Sequence, residues 1–108
     1  GSGVGLEIDL EALPVMVEAL EMYRKGVNTG VNSHNREMVN AQLRFTRNWL
    51  RWHQEILFDP QTSGGLLVSL PRAQGTEAVE RLHQNSVDQA RIIGRVTALE
   101  DNPYLTIV

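Results

Sequence analysis

The middle of the chain contains the stretch Leu57-Phe58-Asp59-Pro60-Gln61-Thr62-Ser63-Gly64-Gly65-Leu66-Leu67. Pro60 ends any helix that precedes it, because a proline pushes the residue before it out of the helical region. The pair Gly64 and Gly65 allows a tight turn or a close approach of the backbone to another group. Apolar residues follow at once, so the stretch predicts a helix, a short loop and a strand.

The loop in this stretch could carry chemistry as well as join two elements. Thr62 and Ser63 supply hydroxyl groups, and with the amides of Gly64 and Gly65 they could form a nest that binds a phosphate. It is not a Walker loop, because no lysine follows the glycines. Asp59 could be a catalytic acid or an ordinary turn residue. From composition alone, a tight helix-to-strand connection is favoured, and an anion-binding loop is the alternative.

Beyond the loop, residues 66–70 form a nearly continuous apolar run between Gly65 and Pro71. Such a run is typical of a central strand that is buried on both faces. The spacing of apolar residues then predicts a helix followed by two strands. These elements are a helix at 71–85 and strands at 90–98 and 104–108, with a turn at 100–103 between the strands.

Before the loop, apolar residues alternate from Val4 to Leu10, which predicts a strand with one buried face. Pro14 suits the first turn of a following helix, and Gly26 suits its C-terminal stop. Asn32 or Ser33 could cap a second, short helix.

A brief strand is predicted at 42–46, and Thr46 could cap a helix that runs to Leu57. Helices and strands therefore alternate, which favours an α+β fold with a mixed β-sheet of about four to five strands and helices packed on it. The 108 residues fit a single domain, residues 1–108, which can bury a core without disulfides or metals. Gly1-Ser2-Gly3 could be a cloning remnant.

The composition excludes several classes of function. Cysteine is absent, which removes a disulfide framework, a thiolate zinc site and a cysteine nucleophile from this chain. The net charge of −3 gives no electrostatic basis for non-specific binding to nucleic acid. No apolar run is long enough for a membrane span. None of the histidines has a second ligand at the spacing of a metal motif, so we predict no metal site.

The basic run from Arg44 to His53 departs from this charge pattern. Its arginines are interleaved with Trp49 and Trp52, which could stack on single-stranded bases. At helical spacing, however, both tryptophans share a face with Ile56, which is typical of packing. Packing is the favoured interpretation, and a stand-alone partner- or RNA-binding module is the alternative.

A second candidate for anion binding lies at residues 28–36, where a glycine turn precedes Asn35 and Arg36. Backbone N–H groups at a helix N-terminus and a guanidinium could together hold an anion. From the residues alone, a capped helix start with a solvent-exposed arginine is favoured over this anion site.

Residues 59–67, Asp-Pro-Gln-Thr-Ser-Gly-Gly-Leu-Leu, resemble a motif of the selenophosphate synthetases (selenide, water dikinases), part of the aminoimidazole-ribonucleotide synthetase superfamily. Residues 8–14, Ile-Asp-Leu-Glu-Ala-Leu-Pro, and residues 35–37, Asn-Arg-Glu, are similar to further parts of that family's C-terminal domain. The order and spacing agree over essentially the whole chain. One departure is Asn28-Thr29-Gly30, where many relatives have a Gly-Gly-Thr sequence before the arginine.

The resemblance implies the C-terminal domain of an enzyme that makes selenophosphate, AMP and phosphate from selenide, ATP and water. It implies ATP and Mg²⁺ as cofactors of the full-length enzyme, held by an N-terminal domain that we expect this chain to lack. This domain alone is then expected to bind no cofactor and to be inactive, with no catalytic residue of its own. The residues implied to line one wall of the cleft are Thr62, Ser63, Gly64, Gly65 and Asp59, and more weakly Asn35 and Arg36.

The resemblance also implies the partners of the domain. These are its own N-terminal domain and, in the full-length enzyme, a second copy in a homodimer. Neither a membrane nor a nucleic acid is an expected partner, and the expected location is cytoplasmic.

Overall fold

The structure is a computed structural model that describes residues 2–99 and 103–108. Its strands are β1 (Val4–Ile8), β2 (Leu43–Phe45), β3 (Gly94–Ala98) and β4 (Leu105–Ile107). Its α-helices are α1 (Val17–Arg24), α2 (Asn32–Val39), α3 (Arg51–Gln54) and α4 (Gly75–Gln84). Short 3₁₀ helices span Leu10–Ala12, Asn40–Gln42, Glu55–Phe58 and Arg72–Gln74. None of the helices described is long and apolar enough to cross a membrane.

The strands form one mixed sheet in the order β2-β4-β1-β3. Strand β4 is parallel to both β1 and β2, whereas β3 is antiparallel to β1. In the middle of the sheet Leu6 lies beside Leu105 and Ile8 lies beside Ile107, which is completely buried. The predicted α+β fold with a mixed sheet is therefore confirmed. Residues 100–102 of the predicted turn lie outside the described residues.

Helices α1 and α4 end in the same Schellman arrangement. After α1, Gly26 takes a φ of 79°, and the N–H of Val27 donates to the carbonyl of Met22 at 3.0 Å. Gly26 is thus confirmed as the helix stop. After α4 the same bonding pattern recurs, but Ser86 occupies the glycine position with a φ of 64°. A side chain at this φ crowds the following carbonyl, so the end of α4 carries strain that the end of α1 does not.

The strand predicted at 66–70 is wrong, because this run lies outside the sheet. Leu66 is 94% exposed, and Leu67, Val68 and Leu70 are also exposed. A continuous apolar run predicts that a segment is buried, but it lacks the alternation that would specify a register with a particular strand. The four described strands pair without this run, which leaves its apolar side chains in solvent.

The predicted helix caps are also wrong. Val31 precedes α2 and Leu50 precedes α3, and neither makes a side-chain cap. Thr46 extends the pairing of β2 with β4 instead, since its N–H donates to the carbonyl of Ile107 at 2.9 Å. Asn32 is the first residue of α2, and its side chain is buried, where it hydrogen-bonds to other residues.

Exchanging serine and glycine at the positive-φ positions after α1 and α4 tests whether the end of α4 is strained. We expect Ser86→Gly to raise the free energy of unfolding by about 0.5–1 kcal/mol, because glycine adopts a positive φ without steric cost. Gly26→Ser should lower it by about the same amount. Urea denaturation of the three proteins measures both changes, and a destabilised Ser86→Gly protein would contradict the left-handed assignment.

Candidate functional site

Five polar side chains meet where α1, α2 and the 3₁₀ helix Glu55–Phe58 pack together. They are joined by hydrogen bonds into one network, and we call them the polar cluster: Tyr23, Asn32, Arg36, Glu55 and Asp59. Two of its members are buried polar residues, with Asn32 1% and Glu55 7% exposed. Burying such groups is costly unless they are hydrogen-bonded, so their partners explain how they are tolerated.

Asn32 is the central residue of the polar cluster. Its Nδ2 lies 3.1 Å from the carbonyl of Glu55, 3.2 Å from Glu55 Oε2 and 3.3 Å from the hydroxyl of Tyr23. Its Oδ1 accepts a hydrogen bond from the hydroxyl of Thr29. Both ends of the amide are therefore satisfied, and the side chain links three separate segments of the chain.

Glu55 is held by two arginines. Its Oε1 accepts from Arg36 at 3.0 Å and from Arg51 at 2.9 Å. Burial alone would raise the pKa of the Glu55 carboxyl, but the hydrogen bonds from Arg51, Asn32 and Arg36 outweigh it and lower this pKa below its ordinary value. The carboxylate is therefore ionised at neutral pH.

The two implied residues in the middle of α2, Asn35 and Arg36, both point into the domain. Arg36 donates to Gln54 at 2.8 Å as well as to Glu55, and its guanidinium lies 4.1 Å from the centre of the Phe58 ring. The expectation of a solvent-exposed arginine is thus wrong, because its side chain is only 13% exposed. Asn35 donates to the carbonyl of Phe58 at 2.9 Å, which fixes the backbone just before Asp59. Their role in anion binding stays a prediction.

Asp59 joins the polar cluster to the loop that follows it. The hydroxyl of Tyr23 donates to Asp59 Oδ1, and Nε2 of Gln61 donates to Asp59 Oδ2 at 3.1 Å. Burial, and then the hydrogen bond to Asp59, raise the pKa of Tyr23. The phenol therefore keeps the proton that it donates at neutral pH.

The loop residues Thr62, Ser63, Gly64 and Gly65 project beyond the polar cluster into solvent. The structure thus places Asp59, Asn35 and Arg36 close together and leaves the loop tip exposed. Beside the base of the loop lies a shallow depression of about 250 Å³, lined by Asn35, Met38, Val39, Leu57, Phe58 and Asp59.

The chemistry of these groups suits a phosphate only in part. The exposed loop hydroxyls and amides are neutral donors, which fit phosphate oxygens. The one arginine of the polar cluster, Arg36, already hydrogen-bonds to Glu55 and Gln54. In the part of the chain that the structure describes, no group of three histidine, aspartate or glutamate side chains could hold a metal ion. These residues therefore offer neutral hydrogen-bond donors to an anion.

The basic run around α3 supports packing over base stacking. Trp49 meets the ring of His53 edge-on at 5.0 Å, and Trp52 stacks on the same ring at 5.1 Å. Both tryptophans are half-buried. Arg47 pairs with Glu11 at 3.6 Å and Arg51 pairs with Glu55, so these two arginines already have acidic partners.

Sequence reasoning missed three members of the polar cluster, Tyr23, Asn32 and Glu55. The sequence pattern suggests only a capping role for Asn32. Glu55 carried a usable signal, because it lies four residues after Arg51 and directly precedes the apolar residues Ile56, Leu57 and Phe58. An acidic residue beside a run of apolar residues predicts that its carboxylate is buried together with a basic or hydrogen-bonding partner.

A family model described as "AIR synthase related protein, C-terminal domain" matches residues 1–102. Similar curated proteins include selenide, water dikinase 2 of Peptoclostridium acidaminophilum, 33% identical over 107 residues, which are 99% of this chain. The selenide, water dikinase of a Clostridium botulinum strain is 36% identical over 105 residues, or 97% of this chain. That of Clostridioides difficile is 33% identical over 107 residues, or 99% of this chain. The chain spans about 30% of the length of each of these relatives.

Glu55 should make the stability of the chain depend on pH. Because its pKa is lowered on folding, its contribution is present above the ordinary carboxylate range and is lost as the pH falls through the lowered value. We expect Glu55→Gln to cost about 3 kcal/mol at pH 7, since Arg36 loses its ionic partner. This cost should shrink as the pH falls below the ordinary carboxylate range and through the lowered pKa of Glu55.

Urea denaturation across this pH range measures the effect. Glu80→Gln is the matched control, because Glu80 lies on an exposed face of α4; it should follow the native protein at every pH. A cost of Glu55→Gln that stays the same at all pH values would contradict the ionised, buried carboxylate.

Proposed function

This chain belongs to the AIR synthase related protein family, as its C-terminal domain, and from this premise we propose that it is the C-terminal domain of a selenide, water dikinase. Such an enzyme would make selenophosphate, AMP and phosphate from selenide, ATP and water. The names of the similar proteins support the proposal, as does a match that runs along almost the whole chain. A cytoplasmic enzyme is part of the same proposal.

In this proposal the domain forms one wall of the cleft in which phosphate is transferred. The observation that carries it is the exposed loop Thr62–Gly65, which presents hydroxyls and amides from a base that the polar cluster holds in place. Donors that are already oriented stabilise charge that develops on phosphoryl oxygens without further reorganisation. Thr62 and Ser63 would donate to these oxygens, and Gly64 and Gly65 would let the backbone approach them.

The remaining chemistry would come from other parts of the enzyme. Mg²⁺, when bound, would neutralise charge on the phosphates of ATP. The described residues of this chain supply no cluster for that ion, and the guanidinium of Arg36 faces inward. The isolated domain would therefore bind and orient part of the substrate and would not catalyse the reaction.

The N-terminal domain of the same enzyme is the proposed partner for the apolar run 66–70. The chain is about 30% as long as its relatives, so most of such an enzyme lies outside it. Leu66, Leu67, Val68 and Leu70 are exposed next to the loop, and contiguous exposed apolar residues mark interaction surfaces. A domain that approached Thr62–Gly65 across the cleft would also meet this run. A homodimer of the full-length enzyme belongs to the same proposal.

The loop hydroxyls are tested in the full-length enzyme. The double variant Thr62→Val, Ser63→Ala should lower kcat/KM for ATP about a hundredfold, because two hydrogen bonds to charged oxygens are lost. Thr76→Val, which removes an exposed hydroxyl on α4, should leave it unchanged. AMP formation from selenide and ATP is the measurement. The isolated chain should form no AMP, and AMP formed by the chain alone would refute its supporting role.

The interface is tested with this chain and a separately produced N-terminal domain. Leu66→Asp should leave the free energy of unfolding of the chain unchanged within about 0.5 kcal/mol, because the side chain is already in solvent. It should weaken binding of the N-terminal domain, as measured by titration calorimetry. Met16→Asp is the control, because Met16 is 76% exposed and lies just before α1. Equal binding by both variants would contradict the interface.

The experiments also distinguish the N-terminal domain from a second copy of this chain as the molecule that covers the run 66–70. Sedimentation at several concentrations would then show self-association that Leu66→Asp abolishes. That result, without binding of the N-terminal domain, would overturn the proposed partner.

A further inference from the structure

The exposed loop is connected to the folded domain through Asp59. Within the described residues, no hydrogen bond joins residues 62–65 to the remainder of the domain. The Asp59 carboxylate accepts from Tyr23 with one oxygen and from Gln61 with the other. The direction in which the loop leaves the domain therefore depends on how this carboxylate is held.

Gln61 extends the connection into the loop. A Cβ atom added at position 64 would lie 2.6 Å from Oε1 of Gln61, closer than real side chains approach. Position 64 therefore lies close to the end of the flexible Gln61 side chain. Hydrogen bonds therefore run from Tyr23 through Asp59 to Gln61, and the Gln61 side chain lies beside position 64.

The hydroxyl group of Tyr23 has a defined orientation. Tyr23 is 7% exposed, and its hydroxyl accepts from Nδ2 of Asn32 at 3.3 Å while it donates to Asp59. Asn32 is itself fixed by the carbonyl and carboxylate of Glu55. The hydroxyl has one free lone pair and no free proton, so its single hydrogen is directed at the Asp59 carboxylate.

We propose that Tyr23 is a positioning residue, which orients the loop Thr62–Gly65 through the Asp59 carboxylate. The catalytic consequence rests on the proposed function of that loop; the orienting role does not. Tyr23 itself would touch no substrate, because its hydroxyl lies inside the domain between Asn32 and Asp59.

Tyr23→Phe isolates this role because it removes only the hydroxyl. Asn32 keeps its hydrogen bonds to Glu55, and Asp59 is only half-buried and can turn to water. We therefore expect the variant to fold. Tyr104→Phe is the matched control, since Tyr104 is the other tyrosine of the chain and is 44% exposed.

The first measurement needs no activity. Backbone NMR order parameters of residues 61–65 should fall in Tyr23→Phe and stay at the native value in Tyr104→Phe. Unchanged order parameters in Tyr23→Phe would overturn the proposal.

The second measurement is made in the full-length enzyme. Tyr23→Phe should lower kcat/KM for ATP about tenfold, with KM for selenide unchanged. In an Asp59→Ala background the same change should have less than about a twofold effect, because the path to the loop is already broken. If Thr62→Val, Ser63→Ala loses activity, native activity of Tyr23→Phe, or an equal loss in both backgrounds, would overturn the proposal.

Different results would contradict the proposed function of the loop and the orienting role of Tyr23. If Thr62→Val, Ser63→Ala retains native activity while Tyr23→Phe still loosens the loop, the loop has no role at the phosphates. The orienting role of Tyr23 would then stand, and the proposed function would fall.

Discussion

The buried pair of Asn32 and Glu55 is the interaction on which the helical part of this domain depends. An amide and a carboxylate that are removed from water need several partners each, and no single helix can supply them. Here the partners come from α1, from α2 and from the 3₁₀ helix that follows α3. The requirement to satisfy both groups therefore sets how these segments lie against one another, at least as much as the few buried apolar side chains do.

This constraint has a direct consequence for the loop. The polar cluster ends at Asp59. The base of the loop is therefore held by a hydrogen-bonded network, while Thr62–Gly65 remain in solvent. In the proposed cleft wall, such a division would hold the donors in place and leave them accessible to a substrate. The inward orientation of Arg36 fits this arrangement, since the guanidinium stabilises Glu55 and leaves neutral donors at the loop tip.

Local sequence patterns predicted those helices and strands whose type and ends are specified by their own residues. Alternation from Val4 predicted β1, and Gly26 predicted the end of α1, because both signals act within a few residues. The run 66–70 shows the limit of such reasoning. Its apolar composition predicts burial, but composition does not specify which surface would bury the run, and its apolar side chains are exposed in this domain. The polar cluster was missed for the same reason, since Tyr23, Asn32 and Glu55 are distant in sequence and each has an ordinary local explanation.

The sequence by itself determined the fold class, the order of most elements and, through the motif at 59–67, the family to which the chain belongs. It also located the loop that could meet a phosphate, because residue type and glycine spacing are local properties. Only the tertiary structure decided that Arg36 faces Glu55, that Asn32 is buried instead of capping a helix, and that Tyr23 holds Asp59. The physical reason is that the energy of a buried polar group depends on all of its partners at once, and these partners come together only when the helices pack.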